Sequence, residues 1–462
     1  MNELLTLAGL GLFSMIAEIF NFRKAIFPVI VIGLTGLLAL CYMDWGSYNS
    51  TITHFSMMKA DNFSIAFTGV LTATALFWFL MSRSFFQDTS NMSDHFSLIL
   101  FALTGAFCLS SFTNLTMLFL GIEVLSLPVY VLAGSRKRDV ASNEASFKYF
   151  LMGSFASAVF LFGTAFIYGA TGSFNLENIA SYVTTQSQLS PLFMVGLLLI
   201  LSAMAFKVGA APFHFWTPDV YEGSPTVVTA FMSTIVKTAA VAAFFRLFYL
   251  TFSGAQTQYS DIIWVIAVLT MVVGNFIAAS QSNMKRMLAY SSIGHAGFMM
   301  ISILVLDEFA AKSLLYYTAA YSAAGVGAFL VLYLIGSANN GETAITSFNG
   351  LVKRNPIMAG TMTMSLLSMA GIPPLAGFFA KYFIFLSALQ NGYLILVIVA
   401  ILSSLVGVYY YFKIIIAMFF ADADQQPIFM LSPLHKFLLL LVSMAIVFVG
   451  IFPDFVMGLM TL

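Results

Sequence analysis

Lysines stranded in apolar sequence are the residues of this chain whose types and positions could do chemistry. Lys207 closes an uncharged apolar run from Pro191 to Phe206. Gly209 and Pro212 follow, and both residue types weaken or break a helix. His214, Asp219 and Glu222 come next. Lys237 has roughly 16–20 Å of predicted helix on either side of it. Lys381 follows a second break, SMAGIPPLAGFFAKYF, which holds Gly371, Pro373, Pro374 and Gly377. One carboxylate is equally stranded: Glu123, near the middle of NLTMLFLGIEVLSLPVY, with Pro128 five residues on. A lone buried carboxylate takes up a proton, whereas one beside a lysine can ionise. A static Glu–Lys pair would lock two helices, but structural glue does not need one glutamate and three lysines at such a cost. Carboxylate, lysine and histidine in series, each changing charge as its neighbour does, can pass protons through water between them.

Other polar residues have blander readings beside the chemical one. His214 lies seven positions after Lys207, on the same face if the helix continued. For His214 and for His295, in KRMLAYSSIGHAGF, neutral packing is an equal alternative. Lys148 opens a predicted helix, while Arg246 and Lys413 sit near helix ends; such side chains can snorkel to the interface. Asp219 and Glu222 read as solvated helix-end carboxylates, because no second histidine or thiol joins them at metal-ligand spacing. Cys41 and Cys108 lie in apolar runs and read as packing residues. No Gly-rich loop follows a strand, and no nucleophile–base–orienter set is present. No cofactor and no metal is therefore expected in this chain.

These residues need a scaffold that keeps charge inside an apolar environment. Of 462 residues, 60% are hydrophobic and only 8% charged, against about 25% charged in soluble domains. The mean hydropathy of +0.95 agrees. This composition predicts an all-α polytopic membrane protein in the lipid bilayer. The net charge of zero gives no reason to expect a nucleic-acid partner. The N-terminus lacks the basic n-region and cleavage site of a signal peptide, so the first helix is expected to be retained.

A span needs about 20 mostly apolar residues. Fourteen candidates meet this: 4–20, 25–43, 62–82, 95–111, 115–134, 147–168, 191–222, 226–250, 261–282, 287–306, 312–336, 357–389, 393–420 and 434–457. The seventh and twelfth are broken. They are five apart, and an odd offset reverses direction, which suggests two inverted five-helix repeats, spans 4–8 and 9–13. The expected units are 1–94 (spans 1–3), 95–250 (first repeat), 261–420 (second repeat) and 434–462 (last span). Odd-numbered loops and their edges hold eleven basic residues: Arg23, Lys24, Arg83, Arg136, Lys137, Arg138, Lys285, Arg286, Lys353, Arg354 and Lys436. Even-numbered loops hold two, Lys59 and Lys312. Positive loops stay in the cytoplasm, so both termini are expected on the outer side.

With these residues laid out, the chain resembles the antiporter-like subunits of proton-pumping NADH:quinone oxidoreductase, complex I, which are related to Mrp sodium/proton antiporter subunits. The resemblance runs from about the third span to the fourteenth. It rests on ASNEASFKYFLMGSFASA, FKVGAAPFHFWTPDVYEGSPT, KRMLAYSSIGHAGF and GIPPLAGFFAKY, which together are highly specific. Lys381 is similar to the branch with lysine, not glutamate, in the twelfth helix. The resemblance implies a redox-driven proton translocase of the bacterial inner membrane, with other membrane subunits of complex I as partners and no redox centre in this chain. It implies that Glu123 pairs with Lys207, that Lys237 links the two halves, and that Lys381 is the exit lysine. Lys148 and His214 then become supporting positions on the same axis. An Mrp-type cation/proton antiporter subunit is the alternative.

The loop asymmetry gives a direct test. A cysteine introduced at Arg136 is expected to react with an impermeant thiol reagent only from the cytoplasmic side; labelling from outside overturns the topology.

Overall fold

The computed structural model describes residues 2–45, 52–54, 56–87, 91–339, 341–422 and 431–460. Among these, the chain is a bundle of helices, and eleven helical stretches are long and apolar enough to cross a membrane. Helices α1 (Asn2–Ile19), α2 (Arg23–Asp44), α3 (Asn62–Gln87), α4 (Met92–Ser111) and α5 (Leu115–Ala133) come first. A small antiparallel hairpin, β1 (Ile52–His54) with β2 (Met58–Ala60), lies between α2 and α3; all-α sequence reasoning did not anticipate it. Helix α6 (Val140–Thr171) starts two turns earlier than expected, because the Asp139 side chain caps it by accepting from Ala141 N–H. Lys148 therefore sits inside this helix and does not open it. A short amphipathic helix, α7 (Leu176–Thr185), fills the following connection.

The first break divides α8 (Pro191–Val208) from α9 (Trp216–Gly223). Then α10 (Thr226–Phe231) passes through a π-helical turn, Met232–Val236, into α11 (Lys237–Leu247). Helices α12 (Gln256–Ala279), α13 (Met284–Val305), α14 (Glu308–Ala338) and the short α15 (Leu351–Arg354) follow. The second break divides α16 (Pro356–Ala370) from α17 (Ala376–Gln390). The chain closes with α18 (Leu394–Phe420), α19 (Pro433–Ile451) and α20 (Pro453–Met457).

The two breaks are built alike. Helix α8 ends on Gly209 (φ 75°) and α16 on Gly371 (φ 86°), the left-handed conformation that suits glycine. Ala210 N–H bonds the Ala205 carbonyl at 2.9 Å and Gly209 N–H bonds Phe206 at 3.0 Å. Ile372 N–H bonds Leu367 at 3.1 Å and Gly371 N–H bonds Ser368 at 2.9 Å. Both are Schellman closures, which satisfy carbonyls that a helix end otherwise leaves bare. Pairing across loops also recurs. Asn114, the cap of α5, bridges Asn175, and Asn283, the cap of α13, bridges Ala344.

Burial is highest in the centre of the bundle, and α13 is buried along most of its length, including Lys285 and His295. Close helix approach there depends on glycine: a Cβ on Gly274 of α12 would lie 2.4 Å from the Gly294 nitrogen of α13. Arg246, expected to snorkel, instead points inward and is 3% exposed. Its guanidinium meets Asp61 at 2.8 Å and donates to the Phe112 carbonyl at 2.9 Å. The reason is the loop before α3, which carries a carboxylate to that helix end. Burial by itself raises the Asp61 carboxyl. The Arg246 charge and hydrogen bonds from Arg246 and Ser64 outweigh burial and hold it below the usual carboxylate range.

A carboxyl depressed in the folded state stabilises the fold above its unfolded value of about 3.9 and loses that contribution as pH falls through the lower folded value. Asp61→Asn is expected to cost roughly 3 kcal/mol at neutral pH, because it leaves a buried guanidinium without its counter-charge. The gap between wild type and variant should close only below about pH 4. Detergent-solubilised thermal unfolding across pH checks this; a gap that closes near pH 7 refutes the pairing.

Candidate functional site

The three deep lysines share one kind of partner. Lys207, in the last turn of α8, donates to the Ser126 hydroxyl of α5. Lys237, the first α-helical residue after the π-turn, donates to the Ser292 carbonyl of α13 at 2.6 Å and also to its hydroxyl. Lys381, on α17, donates to the Ala370 carbonyl at 2.8 Å and to Ser404 of α18 at 2.7 Å. Ala370 is the last residue of α16, so the break itself supplies an acceptor for this ammonium. Gly371 makes room: a Cβ there would lie 3.0 Å from Lys381 Cδ. The Phe298 ring faces the same ammonium at 5.3 Å.

The expected pair between Glu123 and Lys207 is not a direct ion pair. Glu123 accepts from the Ser157 hydroxyl of α6, and Ser126 occupies the lysine. Glu123 and Ser126 are three apart on α5 and therefore share a face, and the serine is the one presented to α8. A cavity of about 20 Å³ opens between α5, α6 and α8, lined by Ser157, Tyr130 and Lys207 among others, which is room for about one water.

Lys148 sits apart from this group. It pairs with Glu144 at 2.6 Å and Asp219 at 2.9 Å, and Arg286 bridges Asp219 at 3.0 Å and Glu222 at 2.7 Å. Asp219 and Glu222 stay partly exposed at the end of α9, as expected, and also tie α9 to α6 and α13. The earlier start of α6 places Lys148 two turns in, beside the end of α9. Lys285 closes that end by donating to the carbonyls of Glu222 and Ser224. His214 lies in the first break, stacked on Phe215 at 4.6 Å, and its Nδ1 is buried without a hydrogen-bond partner among the described residues.

Sequence reasoning left His295 open between packing and function. Both of its ring nitrogens have partners among the described residues. Nδ1 faces the Tyr317 hydroxyl at 2.6 Å and Nε2 faces Tyr411 at 3.1 Å. Tyr411 also meets the Ser291 hydroxyl. His295 is one turn beyond Ser292, the partner of Lys237, and feels the charges of both Lys381 and Lys237. Ser404, the partner of Lys381, lies two turns from Tyr411 on the same face of α18. A second cavity, about 10 Å³, is lined by His295, Tyr317, Tyr321 and Gly377. Among the described residues no hydrogen bond joins Lys207 to Lys237. The signal in the sequence was the small-residue run around His295, which leaves space for hydroxyls from other helices. The tyrosines themselves carry no spacing signal.

Similarity to known proteins follows this geometry. Residues 112–407 match the family described as NADH:quinone oxidoreductase/Mrp antiporter, TM. The NADH-quinone oxidoreductase subunit N of Cytophaga hutchinsonii is 43% identical over 458 residues, covering 98% of each chain. That of Flavobacterium psychrophilum is 43% identical over the full length of both. A chain of respiratory complex I from Thermus thermophilus superposes with a TM-score of 0.84 at 32% identity, covering 98% of each chain. A chain of the Mrp complex from a Dietzia species superposes at 0.88 over 99% of this chain and 95% of its own, but at 21% identity this likeness concerns the fold alone.

Proposed function

We propose that this chain, which belongs to the NADH:quinone oxidoreductase/Mrp antiporter transmembrane family, is the N-type membrane-arm subunit of a bacterial proton-pumping NADH:quinone oxidoreductase. Near-complete coverage by subunit N relatives favours this over an Mrp-type role, for which the shared family model and the fold speak. The subunit works beside other membrane subunits in the inner membrane and takes its driving energy from electron transfer elsewhere. Purified alone and reconstituted, it is expected to oxidise no NADH and reduce no quinone, since its short loops offer no redox site; either activity in the isolated chain refutes this reading.

The topology we infer has fourteen crossings. Joining α8 with α9, α10 with α11, and α16 with α17, and leaving out the short α7, α15 and α20, yields fourteen from the described helices, counting α1. The inverted repeats, spans 4–8 and 9–13, are supported by the matched Schellman breaks and by the loop bridges at Asn114 and Asn283, each pair five spans apart. The units 95–250 and 261–420 then form the two halves, flanked by 1–94 and 434–462, with both termini outside.

The observation that carries the mechanism is the choice of partner. Each axis lysine binds neutral oxygens, so its hydrogen bonds survive loss of one proton. A carboxylate would fix the ammonium in its charged form. Protons pass Lys207, Lys237 and Lys381 in turn. Glu123 sets the charge on Lys207, and repulsion carries that change to Lys237. Ser292, His295 and Tyr411 then hand it toward Lys381. A histidine with a hydroxyl at each nitrogen can accept a proton on one side and release one on the other. The orphaned His214 Nδ1 and Thr217 Oγ1 near the first break support water there. Lys148, in its ion cluster, is a positioning residue for α9.

Lys237→Ala interrupts the middle of the axis and touches neither break. Proton transport along this path is expected to fall roughly a hundredfold, the low end for a positioned proton-transfer group, with assembly unchanged. Protons moved per electron pair in reconstituted complex, against complex abundance on native gels, measures this; a wild-type ratio sinks the axis.

A further inference from the structure

A cavity lined by none of the axis residues lies where α1 turns into α2. It holds about 850 Å³, within the range of ligand pockets. Asn21 takes a left-handed turn (φ 58°), which folds the basic pair Arg23–Lys24 back over the end of α1. Arg83, at the end of α3, closes the other side with its guanidinium over the Phe27 ring at 4.9 Å. A ring contact uses the face of the guanidinium and leaves its in-plane N–H fork to bind oxyanions. Helices α2 and α4 both begin at this cavity, and neither start has a side-chain cap. Below the charges the lining turns apolar, with Phe27, Met92 and Phe96. The apolar lining continues outward into exposed Ile16, Ile19 and Phe20 of α1.

Three cations above an apolar rail, at the edge of a membrane-spanning bundle, match one chemistry: a phosphate with hydrocarbon attached. We propose that this cavity binds the headgroup of an anionic phospholipid, with its acyl chains along α1. A free phosphate would satisfy the cations but has no use for the apolar rail. All three basic residues lie in odd-numbered loops, so the lipid belongs to the cytoplasmic leaflet. That leaflet assignment rests on the topology proposed above. The binding itself does not.

The test uses the intact complex in vesicles of phosphatidylcholine containing a photoactivatable phosphatidylglycerol, with labelled peptides mapped by mass spectrometry. Adducts are expected on the peptide containing Arg23 and Lys24, reduced about fivefold for each charge removed in Lys24→Gln and Lys24→Gln/Arg83→Gln. Lys353→Gln, at another basic loop, should leave them unchanged. Should the double variant fail to assemble, the single exposed Lys24→Gln variant and the salt dependence of wild-type labelling decide the matter. Equal labelling by a photoactivatable phosphatidylcholine overturns the proposal. So does competition by inorganic phosphate, which identifies a free-anion site. Absence of adducts in the complex, with a neighbouring subunit crosslinked at Lys24 instead, also overturns it.

Discussion

An ammonium group at membrane depth must be given oxygen, and this requirement organises the bundle. Placing a lysine at the centre of a bilayer costs about 2.5–3.5 kcal/mol on insertion scales. The fold meets that cost in two ways. Three cations near the ends of the bundle receive carboxylates: Arg246 has Asp61, Lys148 has Glu144 and Asp219, and Arg286 has Asp219 and Glu222, while Lys285 there takes the Glu222 and Ser224 carbonyls. Cations along the axis receive hydroxyls and carbonyls: Ser126, Ser292, Ala370 and Ser404. The first arrangement locks a charge in place. The second tolerates either protonation state, because a neutral amine still donates to a neutral oxygen.

The broken helices have a role beyond flexibility. Ending a helix inside a bundle leaves carbonyls without partners, and each must be satisfied. At the second break one of them, Ala370, takes Lys381, so the break and the lysine answer each other's need. At the first break the lysine lies before the turn and reaches sideways to α5. The two breaks therefore share their cap geometry but differ in how they use it. The π-turn before Lys237 is a third backbone irregularity at an axis lysine, and such turns often mark functional positions.

Family likeness and geometry point the same way for different reasons. Subunit N relatives match along almost the whole chain. Independently, Lys237 meets Ser292, and one turn on His295 meets Tyr317 and Tyr411, which places hydroxyls and an imidazole beside that lysine. The α1–α2 cavity belongs to neither argument, which is why its basic lining calls for an occupant of its own.

Residue type and periodicity alone determined the membrane class, the two breaks and the stranded residues Glu123, Lys207, Lys237 and Lys381. These features are local: a charge in an apolar run, or glycine and proline within it, is visible without any neighbour. Helix edges were legible to within a few residues except at α6, where the Asp139 cap extends the start. Partners were not legible. Ser126 standing between Glu123 and Lys207, Asp61 reaching Arg246, and Tyr317 and Tyr411 flanking His295 all depend on which helix faces which. Serine and tyrosine are common in membrane helices and carry no mark of their partner in one dimension. Only packing decides whether a hydroxyl meets its own carbonyl, a neighbour's lysine or a histidine. That choice decides which oxygen each costly residue receives.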